Sequence, residues 1–113
     1  MGALGGLALL SARGARDSRL ATIALVLAQD KMNALHSESW GSTGAFHDYL
    51  DSRGQALDEG GPAGDGTVFV RRWSVTPLAS DPDTVRLQVV VSVNINPSLQ
   101  ARLSGLRTRK VGG

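Results

Sequence analysis

Residues able to do chemistry are thinly spread along this chain. His36 and His47 lie in separate segments, and neither has a second histidine at metal-ligand spacing. With no cysteine present, disulfides, thiolate zinc sites and a cysteine nucleophile are all excluded. Asp58, Glu59 and Asp65 fall in a glycine-rich stretch and could gather around calcium, a cation that prefers oxygen donors. Their order does not follow the EF-hand pattern, so the plainer reading is a solvated loop. Ser39, Ser42, His47 and Asp48 contain the residue types of a hydrolytic triad, but no nucleophile elbow presents a serine. Neither a GxxxxGK[ST] phosphate loop nor a GxGxxG following a strand is present. Arg71 and Arg72 precede Trp73, an arrangement that could grip phosphate with ring stacking. Neighbours on a strand face opposite ways, however, so the two arginines cannot form one clamp. A core tryptophan beside solvated arginines is the better account. No catalytic constellation, metal or cofactor is expected, and the chain reads as non-enzymatic.

Charge is more informative than any motif. The net charge of +2 conceals a segregation. Residues 41–66 carry Asp48, Asp51, Asp58, Glu59 and Asp65 against Arg53 alone, whereas residues 98–113 carry Arg102, Arg107, Arg109 and Lys110 without an acid. A basic end of this kind is usually a solvated face, and otherwise attracts phosphate or anionic lipid.

These residues must be positioned by a small set of elements. A chain of 113 residues fits one domain, and its 42% hydrophobic content suits a folded core built mainly from aliphatic side chains. From Leu4 to Ser37 no proline interrupts, and the helix-favouring composition predicts a long helix whose one soft spot is Gly14. Leu20, Ile23, Ala24, Leu27, Met32 and Leu35 recur at helical spacing, and Arg16, Arg19, Gln29, Asn33 and His36 mark the polar faces. The front part, Ala3 to Leu10, is apolar on every side and falls short of the roughly 20 residues needed to cross a bilayer. It also lacks the basic residues that precede a secretory core, and its Gly2–Gly6 GxxxG is a weak motif outside a full apolar span.

After Gly41, "AFHDYLD" reads as a short helical turn or a strand, and "DEGGPAGDG" as a loop. "TVFVRRWSVTPL" is a strand candidate. In "TVRLQVVVSVNIN" one face holds Val85, Leu87, Val89, Val91, Val93 and Ile95, and the other holds Arg86, Gln88, Ser92 and Asn94. Such alternation means one buried face and one facing water. "LQARLSGLRTR" supplies another strand, with a bulge suggested at Gly105 where the phase shifts. Short connections favour an antiparallel meander, whose apolar face needs the helix stripe as its cover. The expected architecture is α+β: an N-terminal helix (residues 1–40) packed on a three- to four-stranded antiparallel sheet in a globular part (residues 41–113).

"ATIALVLAQDKMNALHSESW" resembles the segment that follows the membrane half of the first helix in type IV pilin-like proteins, where minor pilins and type II secretion pseudopilins carry runs similar to "A..LAQ.KME.LR...W". "GTVFVRRWSVTPLASDPDTVRLQVVVSV" is similar to the strand pair of that group. The likeness is carried by Leu27, Ala28, Gln29, Lys31, Met32 and Leu35, and by Arg71, Arg72, Trp73 and Val75. It implies a pilin-like ladle fold and a structural subunit that assembles with other pilin or pseudopilin subunits through Leu4, Leu7, Leu9 and Leu10. It also implies anchoring in the bacterial inner membrane, or a place in the periplasm or a surface pilus, for the full-length form. The family begins with a basic leader, a cleavage glycine and a glutamate inside an apolar span. Here Met1 stands where the middle of that span would be: either the span is truncated, and "GALGGLALLS" is its second half, or this is a relative that lost its anchor. The alternative is a soluble pilin-like module that contacts DNA or another polyanion through Arg102, Arg107, Arg109 and Lys110.

Overall fold

The computed structural model describes residues 9–10, 14–37, 43–57 and 66–108. Two short strand residues, β1 (Leu9–Leu10), precede one helix, α1 (Gly14–Ser37). Four longer strands follow: β2 (Gly44–Leu50), β3 (Phe69–Leu78), β4 (Asp81–Val93) and β5 (Asn96–Thr108). The strands form one antiparallel sheet in the order β1-β5-β4-β3-β2. The architecture is α+β, with α1 laid across one face of the sheet over β4 and β5.

The helix is shorter at its front than the composition predicts. Gly14 has φ +77°, outside the right-handed helical range, so the helix begins there and does not run through from Leu4. Leu9 and Leu10, expected on the assembly helix, are instead extended and pair with Arg102 and Ala101 on the outer edge of β5. An open sheet edge offers unpaired backbone groups that an apolar stretch can satisfy once the helix has stopped. Leu4 and Leu7 lie outside the described residues.

The buried helix face is built from small side chains. Ala21, Ala24 and Ala28 are essentially inaccessible, with Leu27 and Leu35 beside them, while Leu20, Ile23 and Met32 are only half-buried. The alanines follow i, i+3, i+7 spacing, so they line one stripe and let the helix backbone approach the sheet closely. Beneath it lie Val85, Leu87, Val89, Val91 and Val93 of β4, all buried as their alternation predicts, together with Leu99 and Ala101 of β5. Ile95 breaks the predicted series: it lies in the β4–β5 turn and is 77% exposed. Ser92, expected toward water, is buried.

The two hairpins of the meander share one construction. Leu78 pairs with Asp81 across Ala79–Ser80, yet Pro77 pairs with Val85, so Pro82–Thr84 bulge from β4. Likewise Val93 pairs with Asn96 across Asn94–Ile95, yet Ser92 pairs with Gln100, so Pro97–Leu99 bulge from β5. None of these turn residues has a positive φ. The turns therefore cannot be of the mirror-image type whose twist matches the strands, and the bulge that follows restores pairing. Each bulge opens with an Asx-Pro pair whose side-chain oxygen accepts a local bond. Asp81 accepts from the Asp83 amide at 3.0 Å and the Thr84 hydroxyl at 2.8 Å, and Asn96 accepts from the Ser98 hydroxyl at 2.7 Å. Proline suits a bulge because it has no ladder hydrogen to lose.

The bulge expected at Gly105 is absent: Leu87 pairs with Gly105 in the regular register. Alternation continues through this point, with Gly105 inward against the end of α1 and Leu106 outward, 57% exposed. A glycine inside and a leucine outside gave the sequence its false change of phase.

Candidate functional site

The register divides the cations between two faces of the sheet. On the helix side, Asp48 of β2 pairs with Arg71 of β3. The Arg71 guanidinium donates to both Asp48 carboxylate oxygens, at 3.0 and 2.6 Å, in a fork that is largely shielded from water. One row along, Phe46 is stacked on Trp73 at a centroid separation of 6.0 Å. The Lys31 ammonium from α1 lies 3.8 Å from the centre of the Trp73 ring. Trp73 thus joins helix to sheet as an edge pillar, partly buried against the core.

Arg107, expected to contact a polyanion, is also on this side. Its guanidinium donates to the Leu35 carbonyl at 2.7 Å, in the last turn of α1 where carbonyls lack helical partners. A cation there also opposes the negative end of the helix dipole. Its position and partner are those of a helix cap, on the face of the sheet opposite Arg102. Arg102 lies on the opposite, open face, and Arg109 and Lys110 lie outside the described residues. The predicted basic strand is therefore split by its own alternation.

The open face gathers residues that the sequence scattered. Across β2 to β5 the register aligns His47, Arg72, Val90 and Arg102 in one row, and Ala45, Ser74, Gln88 and Ser104 in the next. Arg86 stands two residues beyond Gln88 on the same face of β4. Arg72, Arg86 and Arg102 are all exposed. The sequence places Arg86 on the water-facing side of its strand and reads Arg72 as solvated, but does not bring either to a common surface with Arg102.

Among the described residues, the histidines and acids singled out above do not form an acid–base pair. His47 and Asp48 face opposite sides of β2, and the Asp48 carboxylate is engaged by Arg71. His47 instead makes an edge contact with Tyr49 at 5.3 Å. Ser39, Ser42 and the acidic residues Asp58, Glu59 and Asp65 lie outside the described residues. Among the described residues no group of three or more acids and histidines could hold a metal ion, and no helix is long and apolar enough to cross a membrane.

Asp51 has a structural task. Its carboxylate accepts from the Gln55 amide at 2.9 Å and the Arg53 amide at 2.8 Å. The Gln55 bond chiefly holds its pKa below the ordinary carboxylate value, with smaller help from Arg53. The turn so formed brings Gly54, at φ +81°, against Leu27 of the helix.

Comparison of the chain with protein-family models, curated proteins and solved structures finds no match.

Proposed function

We propose that this protein is a non-enzymatic minor-pilin-like or pseudopilin-like subunit, built into a type IV pilus or type II secretion-like fibre. One observation carries the reading. The two segments that give the chain its pilin-like appearance, around Lys31 and around Trp73, touch each other through the ammonium–indole contact at 3.8 Å. Leu27, Ala28 and Leu35 of the first segment are buried and Met32 is half-buried, so most of the positions carrying the likeness serve the helix–sheet interface. A ladle-like subunit requires such a joint, because its sheet must ride rigidly on its helix.

In this reading the apolar segment with Leu4, Leu7, Leu9 and Leu10 is the assembling surface, and its burial between subunits supplies the association energy. Leu9 and Leu10 contribute from an extended segment at the sheet edge. Neighbouring subunits, and the inner membrane for a form with a complete apolar span, are the partners.

The test is to tag the protein in the organism that encodes it and to recover sheared surface fibres and inner membranes. Site-specific photo-crosslinking from position 7 is expected to capture other fibre subunits, and Leu7→Glu to abolish both capture and fibre incorporation while leaving circular dichroism unchanged. A protein recovered only in the soluble fraction, with no crosslinks to fibre or membrane subunits, would overturn the assignment.

A further inference from the structure

Among the described residues, the face of the sheet turned away from α1 carries a one-sided charge along its paired strands. On the regularly paired parts of β2 to β5 its outward positions include Arg72, Arg86 and Arg102 but no carboxylate; the Asp81 carboxylate, at the start of β4, accepts from the Thr84 hydroxyl at 2.8 Å. The contrast with the other face is sharp. There Arg71 is held by Asp48, Lys31 by Trp73 and Arg107 by the Leu35 carbonyl. Among the described residues no acid forms an ion pair with Arg72, Arg86 or Arg102.

The three arginines border two neighbouring shallow depressions. One groove of about 290 Å³ is lined by Arg72, Ser74, Val90 and Arg102, and a second of the same volume by Arg86 and Leu106. The two share Gln88 and Ser104. Arg72 and Arg102 flank Val90 across two strand spacings, roughly 10 Å, and Arg86 lies four residues along β4 from Val90, roughly 13 Å. Like charges at such separations repel weakly through salt, with a screening length of about 8 Å. An anion lying along the groove would reverse that repulsion at all three positions.

We propose that this face binds single-stranded nucleic acid along β4, with Arg72, Arg86 and Arg102 on successive stretches of its phosphate backbone. The side-chain chemistry favours this occupant. All three cations are arginines, whose planar forks match phosphate oxygens and can also stack on bases. Ser74, Gln88 and Ser104 place neutral hydrogen-bonding groups between them, suited to sugar and base edges. The His47–Tyr49 ring pair begins the Arg72 row and adds a surface for stacking. The inference does not depend on fibre assembly.

The test uses the whole chain and a fluorescein-labelled dT12 oligonucleotide, with anisotropy read from 20 to 300 mM KCl. Three phosphate contacts predict a slope of log K against log salt of about −2, and each of Arg72→Gln, Arg86→Gln and Arg102→Gln is expected to flatten it by about 0.7. The triple variant should lose binding while keeping its circular dichroism, because exposed surface changes rarely disturb a fold. Arg107→Gln, on the opposite face, should leave the slope unchanged. No binding at 20 mM KCl would overturn the proposal, as would binding that survives the triple substitution. Binding to phosphatidylserine vesicles with none to the oligonucleotide would also overturn it.

Discussion

At the scale of single residues, Gly54 shows how one position can be constrained twice. Its φ of +81° is one that side-chain-bearing residues rarely adopt, and a Cβ built there would lie 2.5 Å from Leu27 Cδ2. Gly66 separates the two effects, since its φ is +87° but a Cβ would meet nothing within 4 Å among the described residues. Gly66→Ala is expected to cost about 1 kcal/mol from backbone strain alone. Gly54→Ala should cost about 2–4 kcal/mol, because overpacking against a buried leucine adds to the strain. Urea denaturation of both variants checks this, and equal losses would show that Leu27 moves aside freely. Neither requirement was visible in "DSRGQ", where Gly54 looked like any loop glycine, because both arise from the approach of a helix nearly thirty residues earlier in the chain.

At the scale of elements, the helix face argues that closeness matters more here than greasiness. Sequence periodicity drew the stripe through Leu20, Ile23, Ala24, Leu27, Met32 and Leu35; Ala24, Leu27 and Leu35 are buried and the other three half-buried, while Ala21 and Ala28, outside that stripe, are buried too. Hydropathy weights large side chains, but a helix lying close to a sheet of valines has room mainly for methyl groups. Ala28→Leu is therefore expected to destabilise by about 1–3 kcal/mol. Val26→Ala, at a position 47% exposed, should change stability by no more than about 0.5 kcal/mol. Thermal and chemical denaturation of the two variants tests the assignment of the face. The opposite ranking would mean that the helix is rotated about its axis.

For the whole molecule, protection should be graded across the sheet. The core is concentrated where α1 covers β4 and β5, and β2 is held to the sheet through β3. Along β2, burial runs from the exposed Gly44 to Leu50, which is completely buried. Native-state hydrogen exchange should find the Val89 and Val91 amides opening only with global unfolding. Amides near the Gly44 end of β2 should open at much lower free energy. Uniform protection across all strands would instead indicate one indivisible unit. The same layering explains the charges: the helix-side arginines and Lys31 are drawn into packing, which leaves the far face basic.

The sequence by itself determined the helix behind Gly14, the strands β3 to β5 and most of their sidedness. Strict alternation from Val85 to Val93 could serve only a half-buried strand, and the absence of cysteine closed off thiolate chemistry before any fold was known. Alternation also showed Arg86 to be water-facing, because side-chain direction on a strand is local geometry. The tertiary structure alone decided what lies beside what. Register placed Arg72 level with Arg102 across Val90 and sent Arg107 to cap α1. Strand pairing drew Leu9 and Leu10 from an expected helix to the edge of β5, and close packing gave Gly54 and Ala28 their importance. The division is physical: a residue's backbone preference and facing belong to its neighbours in the chain, whereas its contacts depend on segments that meet only when the sheet closes under the helix.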